Sequence, residues 1–330
     1  MRQLAIVVPA YNEADHVATV LNGFEEIRSA CKALAFEPFL VLVDDGSADA
    51  TNDVFVAALK KRRLPAKVIR LSRNFGKDGA ILAALQETVA DAYAIIDADG
   101  QTPFGLLPDM IRKLQSGPYE LIHAVKRGES YGPVRRLLTW LFFLVARLLR
   151  IKELRKGISD FMLFTRPARD RLLLLSEKEL VVRNLIHWLG LPKESVPFKP
   201  AKSRRSSFTF RKLFVLAMKS FISFSSILRI NFVIALCYWV FSLFYGTLII
   251  YNKITGRIVV GLSTMTLLTL FSFGLMFFMI AIIGEYLIVI FEEVKKRPRY
   301  LIDRVVDINL ATPRQRQRRQ RSSISRSRSG

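Results

Sequence analysis

The chain has 330 residues, room for one large domain or two ordinary ones, and its 50 Lys+Arg against 28 Asp+Glu give a formal charge of +22. That balance points to an anionic partner: nucleic acid, anionic lipid or a phosphorylated substrate. Cys31 and Cys237 stand in unrelated contexts, which excludes a disulfide framework or a cysteine-based metal motif and fits a reducing, cytosol-facing location.

Met1 leads straight into "LAIVVPA", too short for the apolar region of a secretory signal. That run opens a series with "FLVLVDD", "AKVIRLS", "YAIIDAD" and "ELIHAV". Each is nearly continuous in Val, Ile, Leu and Ala, as strands buried on both faces of a parallel sheet read. Helical spacing fills the intervals Glu13–Ala35, Asp49–Arg63, Gly76–Val89 and Phe104–Gln115, with Asp49 and Pro103 as helix-start residues. Alternation of this kind predicts a layered α/β domain built from right-handed crossovers. Its ligands are expected at the carboxyl ends of the strands, where "PAYNE", "DDGS", "SRNFGK", "DADGQ" and "KRGE" fall.

Residues 133–150, "PVRRLLTWLFFLVARLLR", are apolar for too short a stretch to cross a bilayer, and they are bracketed by arginines. An interfacial helix is expected there. Residues 208–229 read similarly, as an amphipathic juxtamembrane helix. Ile230–Asn252 and Ile258–Gly284 then carry no Asp, Glu, Lys or Arg. Each is long enough to span about 30 Å of hydrocarbon, and the second continues to Phe291. With only a short loop between them, the expectation is a transmembrane hairpin, 230–252 and 258–291. The flanking "KSRR" and "KKRPR" place its outer ends, and the domain 1–207, on the cytoplasmic side. Residues 292–330 read as a basic tail, disordered from 311, where Arg and Ser dominate without an acid or aromatic residue. The bland role of such a tail is contact with anionic lipid, and no nucleic-acid partner is expected.

In Asp97-Ala98-Asp99 the carboxylates stand at i and i+2, so extended backbone turns both to one side. Two such oxygens suit a hard divalent cation, Mg²⁺ or Mn²⁺, that keeps positions open for substrate phosphates. Gln101 is placed to add or orient an oxygen. Asp44-Asp45-Gly46-Ser47 ends the second strand with a tight turn, and a carboxylate there suits ribose hydroxyls or a base N–H. Arg73 and Lys77 flank Gly76 in "RNFGK", beside a helix start that suits a phosphate. No G-x-G-x-x-G or P-loop pattern is present. His16, His123 and His187 are scattered along the chain, so a zinc site or a Ser-His-Asp triad has little support.

Taken in order, "VVPAYNEADHV", "VDDGSAD", "RNFGKDGA", "DADGQTP" and "GISDFMLFTR" resemble the family-two nucleotide-sugar glycosyltransferases. Within them the chain is similar to the polyprenyl-phosphate branch, the dolichol-phosphate mannosyltransferases and bactoprenol-phosphate glucosyltransferases. The resemblance covers roughly Leu4 to Arg229. It implies a GT-A-type Rossmann-like nucleotide-sugar domain, followed by interfacial helices and the two-helix hairpin, in the cell's inner or plasma membrane. Pro9, Ala10, Tyr11, Glu13, Asp44, Asp45, Gly76, Lys77, Asp97 and Ala98 are then the nucleotide-sugar contacts. Asp97, Asp99 and Gln101 are the metal ligands, and Asp160 with Asp99 is catalytic, Asp160 standing where the family has its acceptor-side carboxylate. Arg127, Arg135, Arg136, Lys202 and Arg204 fall where basic residues grip the lipid phosphate. Three places depart from the family pattern: Gly100 follows the D-x-D, Met162 replaces a common arginine, and "KSRRSSFTF" only partly matches the basic motif.

The implied reaction is inverting transfer of a single sugar, UDP-glucose being the first donor to consider, to undecaprenyl or dolichyl phosphate. Membrane lipids and a homotetramer are the further partners implied. Two other readings are a processive polysaccharide synthase, which would carry more spans and a Q-x-x-R-W motif where this chain has "RNLIHW", and a non-catalytic membrane-anchored protein whose basic tail recruits a partner.

Overall fold

The computed structural model describes residues 1–99, 103–126, 158–175, 182–198, 261–295 and 297–310, with isolated positions between 237 and 255. Gln101, Arg127, Arg135, Arg136, Lys202, Arg204, the expected helices 133–150 and 208–229 and the tail from 311 lie outside the described residues.

The expected strands form the centre of an eight-stranded sheet. β1 (Arg2–Ala10), β2 (Phe36–Asp44), β3 (Ala66–Leu71), β4 (Ala92–Ile95) and β5 (Leu121–Lys126) come first in the chain. β6 (Ile158–Thr165), β7 (Lys193–Phe198) and β8 (Ile302–Ile308) complete it. The spatial order is β7-β5-β6-β4-β1-β2-β3-β8. The four strands from β3 to β4 are parallel, as expected. Two features depart from a purely parallel reading. β6 inserts antiparallel between β4 and β5, and β8 adds antiparallel to β3. Residues 302–308, read from the sequence as tail, are therefore an edge strand. With Asp303, Arg304 and Asp307 all exposed, the stretch reads as a polar tail more than as a strand.

The pleat of β1 divides the core. Leu4, Ile6, Val8 and Ala10 face a cluster formed with α1 (Val17–Ala33), α2 (Thr51–Arg62) and α4 (Leu107–Gln115). Ala5 and Val7 face the opposite cluster, formed with α3 (Lys77–Glu87), α5 (Arg166–Leu174) and α6 (Val182–Trp188). Each central strand is thus covered on both sides, which is why it is apolar without alternation.

α7 (Leu262–Val294) is a 33-residue helix whose apolar window Phe271–Ile288 has a mean hydropathy of 2.0 and none of its residues buried. At 1.5 Å per residue it is about 50 Å long, more than a bilayer core requires. It is the one helix long and apolar enough to cross a membrane among the described residues. Of the expected first span, isolated positions are described; Tyr238 lies with its ring 5.8 Å from that of Phe271.

Candidate active site

The chain runs from β1 to β2 and β3 on one side, then crosses to β4 on the other, so the sheet has its topological switch between β1 and β4. A crevice opens at such a point because the two neighbouring connections leave in opposite directions. Here it is a cleft of about 270 Å³ lined by Pro9, Ala10, Tyr11, Glu13, Asp45, Lys77, Asp97, Ala98 and Asp99. Nearly all the expected nucleotide-sugar residues are among them. Asp44 is not.

Short-range bonds explain how these loops converge. The Asp45 N–H donates to the Ala10 carbonyl at 2.9 Å, and the Asn12 N–H to Ser47 Oγ at 3.0 Å. Asn12 adopts a positive φ of 55°, tolerable for asparagine, and its Oδ1 accepts the Ala48 N–H at 3.0 Å. The "PAYNE" and "DDGS" loops are thereby laced together. Gly46 is required rather than convenient: its φ is +66° and a Cβ would lie 2.4 Å from the Arg73 backbone. That close approach brings the "RNFGK" loop in. Asp45 then accepts from it twice, from the Phe75 N–H at 2.7 Å and the Gly76 N–H at 2.9 Å. Burial pushes the Asp45 carboxyl above its ordinary value, and these two donors only partly offset it. Asp44, fully buried, accepts the Ser47 N–H at 2.9 Å and closes the turn instead of facing the cleft. Arg73 stacks on the Phe75 ring at 4.6 Å.

The D-x-D pair departs from the extended geometry expected of it. The last ladder bond is Ile96 N–H to the Val7 carbonyl, and Asp97 to Asp99 lie beyond β4, turning at Ala98. Ala98 is buried, Asp97 half-buried and Asp99 exposed, with both carboxylates still lining the cleft. The donor set is all oxygen and fits a hard divalent cation held by two carboxylates plus substrate phosphates. Burial raises the Asp97 carboxyl, and Asp160 and Asp99 add to that rise against the opposing pull of Lys77.

Lys77, first residue of α3, reaches both acids: its Nζ is 2.5 Å from Asp97 Oδ1 and 2.7 Å from Asp160 Oδ2. Burial works against its charge, but Asp97 and Asp160 overcome that and raise its pKa. Asp160, in β6, also meets Arg183 of α6, with Nη1 2.9 Å from Oδ1. Burial alone would raise the Asp160 carboxyl; Lys77, Arg183 and the more distant Lys126 outweigh it and hold it below its ordinary value. The next residue in α3, Asp78, accepts the Val182 N–H at 2.7 Å and so fixes the start of α6 beside Asp160. Arg183 and Asp78 are the site residues that sequence reasoning missed. Their signals were Arg183 in "RNLIHW" and the acid directly after Lys77, neither interpretable until β6 lies between β4 and β5.

His123 and His187, distant in sequence, have rings 5.0 Å apart edge to face. They lie outside the cleft lining. The scatter read from the sequence does not hold in space for this pair.

The profile of glycosyl transferase family 2 matches residues 5–173. A bactoprenol glucosyl transferase of Shigella phage SfX is 30% identical over 309 residues, covering 91% of this chain and 98% of its own. The putative glycosyltransferase CsbB of Bacillus subtilis is 32% identical over 305 residues, 91% of each chain. Among solved structures, the glucosyl-3-phosphoglycerate synthase of Mycobacterium tuberculosis in complex with Mn²⁺, UDP and phosphoglyceric acid aligns at 20% identity and a TM-score of 0.49, over 67% of this chain and 76% of that one.

Proposed function

The chain belongs to glycosyl transferase family 2, and from that premise we propose that it moves one sugar from a UDP-hexose, UDP-glucose first, to the phosphate of a polyprenyl lipid. The observation that carries this reading is the switch-point cleft, where Asp97 and Asp99 form one rim beside Lys77, Asp160 and Arg183. The lipid acceptor is supported by the bactoprenol glucosyl transferases, matched over nearly their whole length, and by the exposed apolar surface of α7.

In this reading the nucleoside lies against Pro9 to Glu13, and Asp45 keeps the "RNFGK" loop in place beneath the diphosphate. Asp97 and Asp99 hold a divalent cation, whose contribution when bound is to neutralise charge on the departing diphosphate. A lipid phosphate oxygen attacks the anomeric carbon as the bond to the diphosphate oxygen breaks on the opposite face, so configuration inverts. The attacking oxygen is already anionic near neutral pH, since the second phosphate pKa is about 6. No strong base is needed, and Asp160, kept ionised between Lys77 and Arg183, acts as the fixed anion that positions those two cations toward acceptor and donor phosphates. The hairpin of 230–252 with α7 anchors this site at the cytoplasmic face, where proximity to the headgroups contributes several kcal/mol, of order 5 or more in favourable cases.

The test is incubation of membranes carrying the protein with polyprenyl phosphate and a panel of nucleotide sugars, read by mass spectrometry of the lipid. A hexose-shifted lipid phosphate is expected with UDP-hexose. No glycosylated lipid with any donor would sink the proposal.

A further inference from the structure

The Lys77 ammonium occupies the space between Asp97 and Asp160, within 2.7 Å of an oxygen of each. One of those oxygens belongs to the acid that also forms the cation rim with Asp99. A side-chain cation therefore already sits on the acid that a divalent cation would use. A divalent cation entering alone displaces Lys77 from Asp97 and leaves the ammonium with one carboxylate in place of two. A diphosphate offers Lys77 a new acceptor and adds negative charge beside the cation. The lysine has room to make that exchange. It lines the cleft on a flexible stem, and beside it Gly76, at φ +88°, has nothing within 4 Å of where a Cβ would stand.

We propose that Lys77 is a resident counter-cation that holds Asp97 until the donor arrives, so that divalent-cation binding at Asp97 and Asp99 is coupled to diphosphate binding. The inference rests on the proposed nucleotide-sugar donor and adds to it a specific residue that makes the cation depend on the nucleotide. Lys77 acts through Asp97 and is a positioning residue in the donor-free enzyme. By linkage, the factor by which UDP tightens the cation equals the factor by which the cation tightens UDP.

Mn²⁺ binding to the full-length protein in detergent, monitored by electron paramagnetic resonance of the free ion with and without UDP, tests this. In the wild type, UDP is expected to tighten Mn²⁺ about tenfold or more. Lys77→Gln should bind Mn²⁺ alone about tenfold more tightly than wild type and lose most of the gain from UDP. Lys77→Arg, which keeps the charge, should restore wild-type coupling. If Lys77→Gln does not fold, Asp160→Asn provides the check, because it leaves the whole lysine charge on Asp97 and should weaken Mn²⁺ alone. Unchanged Mn²⁺ affinity in the variant tested, with UDP still tightening Mn²⁺ in the wild type, overturns the role of Lys77 alone. Mn²⁺ that binds the wild type neither alone nor with UDP overturns the nucleotide-sugar reading and this inference with it.

Discussion

Asp160 and Asp97 share one lysine, yet their carboxyls shift in opposite directions, and the difference decides their chemistry. Asp160 gains Arg183 and Lys126 in addition, so its charge is over-compensated, whereas Asp97 faces Asp99 and Asp160 as well as burial. A carboxylate held below its usual range is a poor general base. Asp160→Asn should accordingly lower transfer to polyprenyl phosphate about tenfold or more through misplaced cations. Its rate–pH profile should keep the wild-type shape, and loss in the variant of an acidic limb that the wild type shows would instead mark Asp160 as a base. The same shift sets a stability signature. Because the folded pKa is lowered, the stabilisation is present above the unfolded value of about 3.9 and is lost as pH falls through the folded one. Urea midpoints of wild type and Asp160→Asn should differ at neutral pH and converge only below about pH 4. Convergence near pH 6 would contradict the assignment. For the cation rim, Asp99→Ala is expected to cost about a hundredfold or more in turnover with an unchanged melting transition, because Asp99 is exposed at the mouth of the cleft. Retained, metal-independent transfer by that variant is the opposing result.

At the level of elements, what the sequence disclosed depended on burial. β1 to β5 were legible because strands covered on both faces must be apolar throughout. β6 was visible only as a motif, since "ISDFMLFT" carries the charged Asp160 inside the strand, just before the residues that pair with β4. β7, "KESVPF", and β8, "IDRVVDI", are edge strands with water on one side, and their charges hide them. The site divided in the same way. The loops after β1, β2 and β4 could be named in advance because they terminate legible strands, whereas Arg183 reaches Asp160 only through a contact that the antiparallel insertion creates. Asp44 and Asp45 could not be told apart by adjacency, since one turn hydrogen bond sends Asp44 inward. β8 supplies the prediction at this scale. Ile308 is 4% exposed and joins the core cluster around α1 and α2, while Val305 on the same strand is 41% exposed. Ile308→Ala should destabilise the protein by about 2–4 kcal/mol in chemical denaturation, and Val305→Ala by less than about 1 kcal/mol. Equal small effects would mean that β8 contributes nothing to the folded domain.

For the whole molecule, the sheet is discontinuous in sequence: seven strands precede α7 and the eighth comes after it. After the helix the chain returns to the catalytic layer through several bonds besides the β3–β8 ladder. The Ser72 N–H donates to the Leu301 carbonyl at 2.9 Å, Arg299 Nη2 to the Leu175 carbonyl at 3.0 Å, and Asn309 Nδ2 to the Leu64 carbonyl at 3.3 Å. A fragment ending at residue 200 would therefore lose not merely an anchor but one edge of its sheet, exposing the β3 backbone and the pocket of Ile308. Such a fragment should aggregate or melt early. Excising 201–296 and reconnecting the chain should restore the domain, provided the linker crosses the sheet. β7 and β8 are the two opposite edges, seven inter-strand spacings apart, or about 34 Å. A Gly/Ser linker of about 40 residues has a root-mean-square span of about 35 Å and suits that distance. The reconnected protein should be soluble, show the wild-type urea transition of the domain and bind UDP with Mn²⁺, yet transfer sugar to polyprenyl phosphate in vesicles at least about a hundredfold more slowly, because the membrane no longer holds site and headgroup together. Undiminished transfer in vesicles would show that the apolar helix has no part in acceptor delivery, and a fragment 1–200 as stable as the reconnected protein would show the same for β8 in the fold.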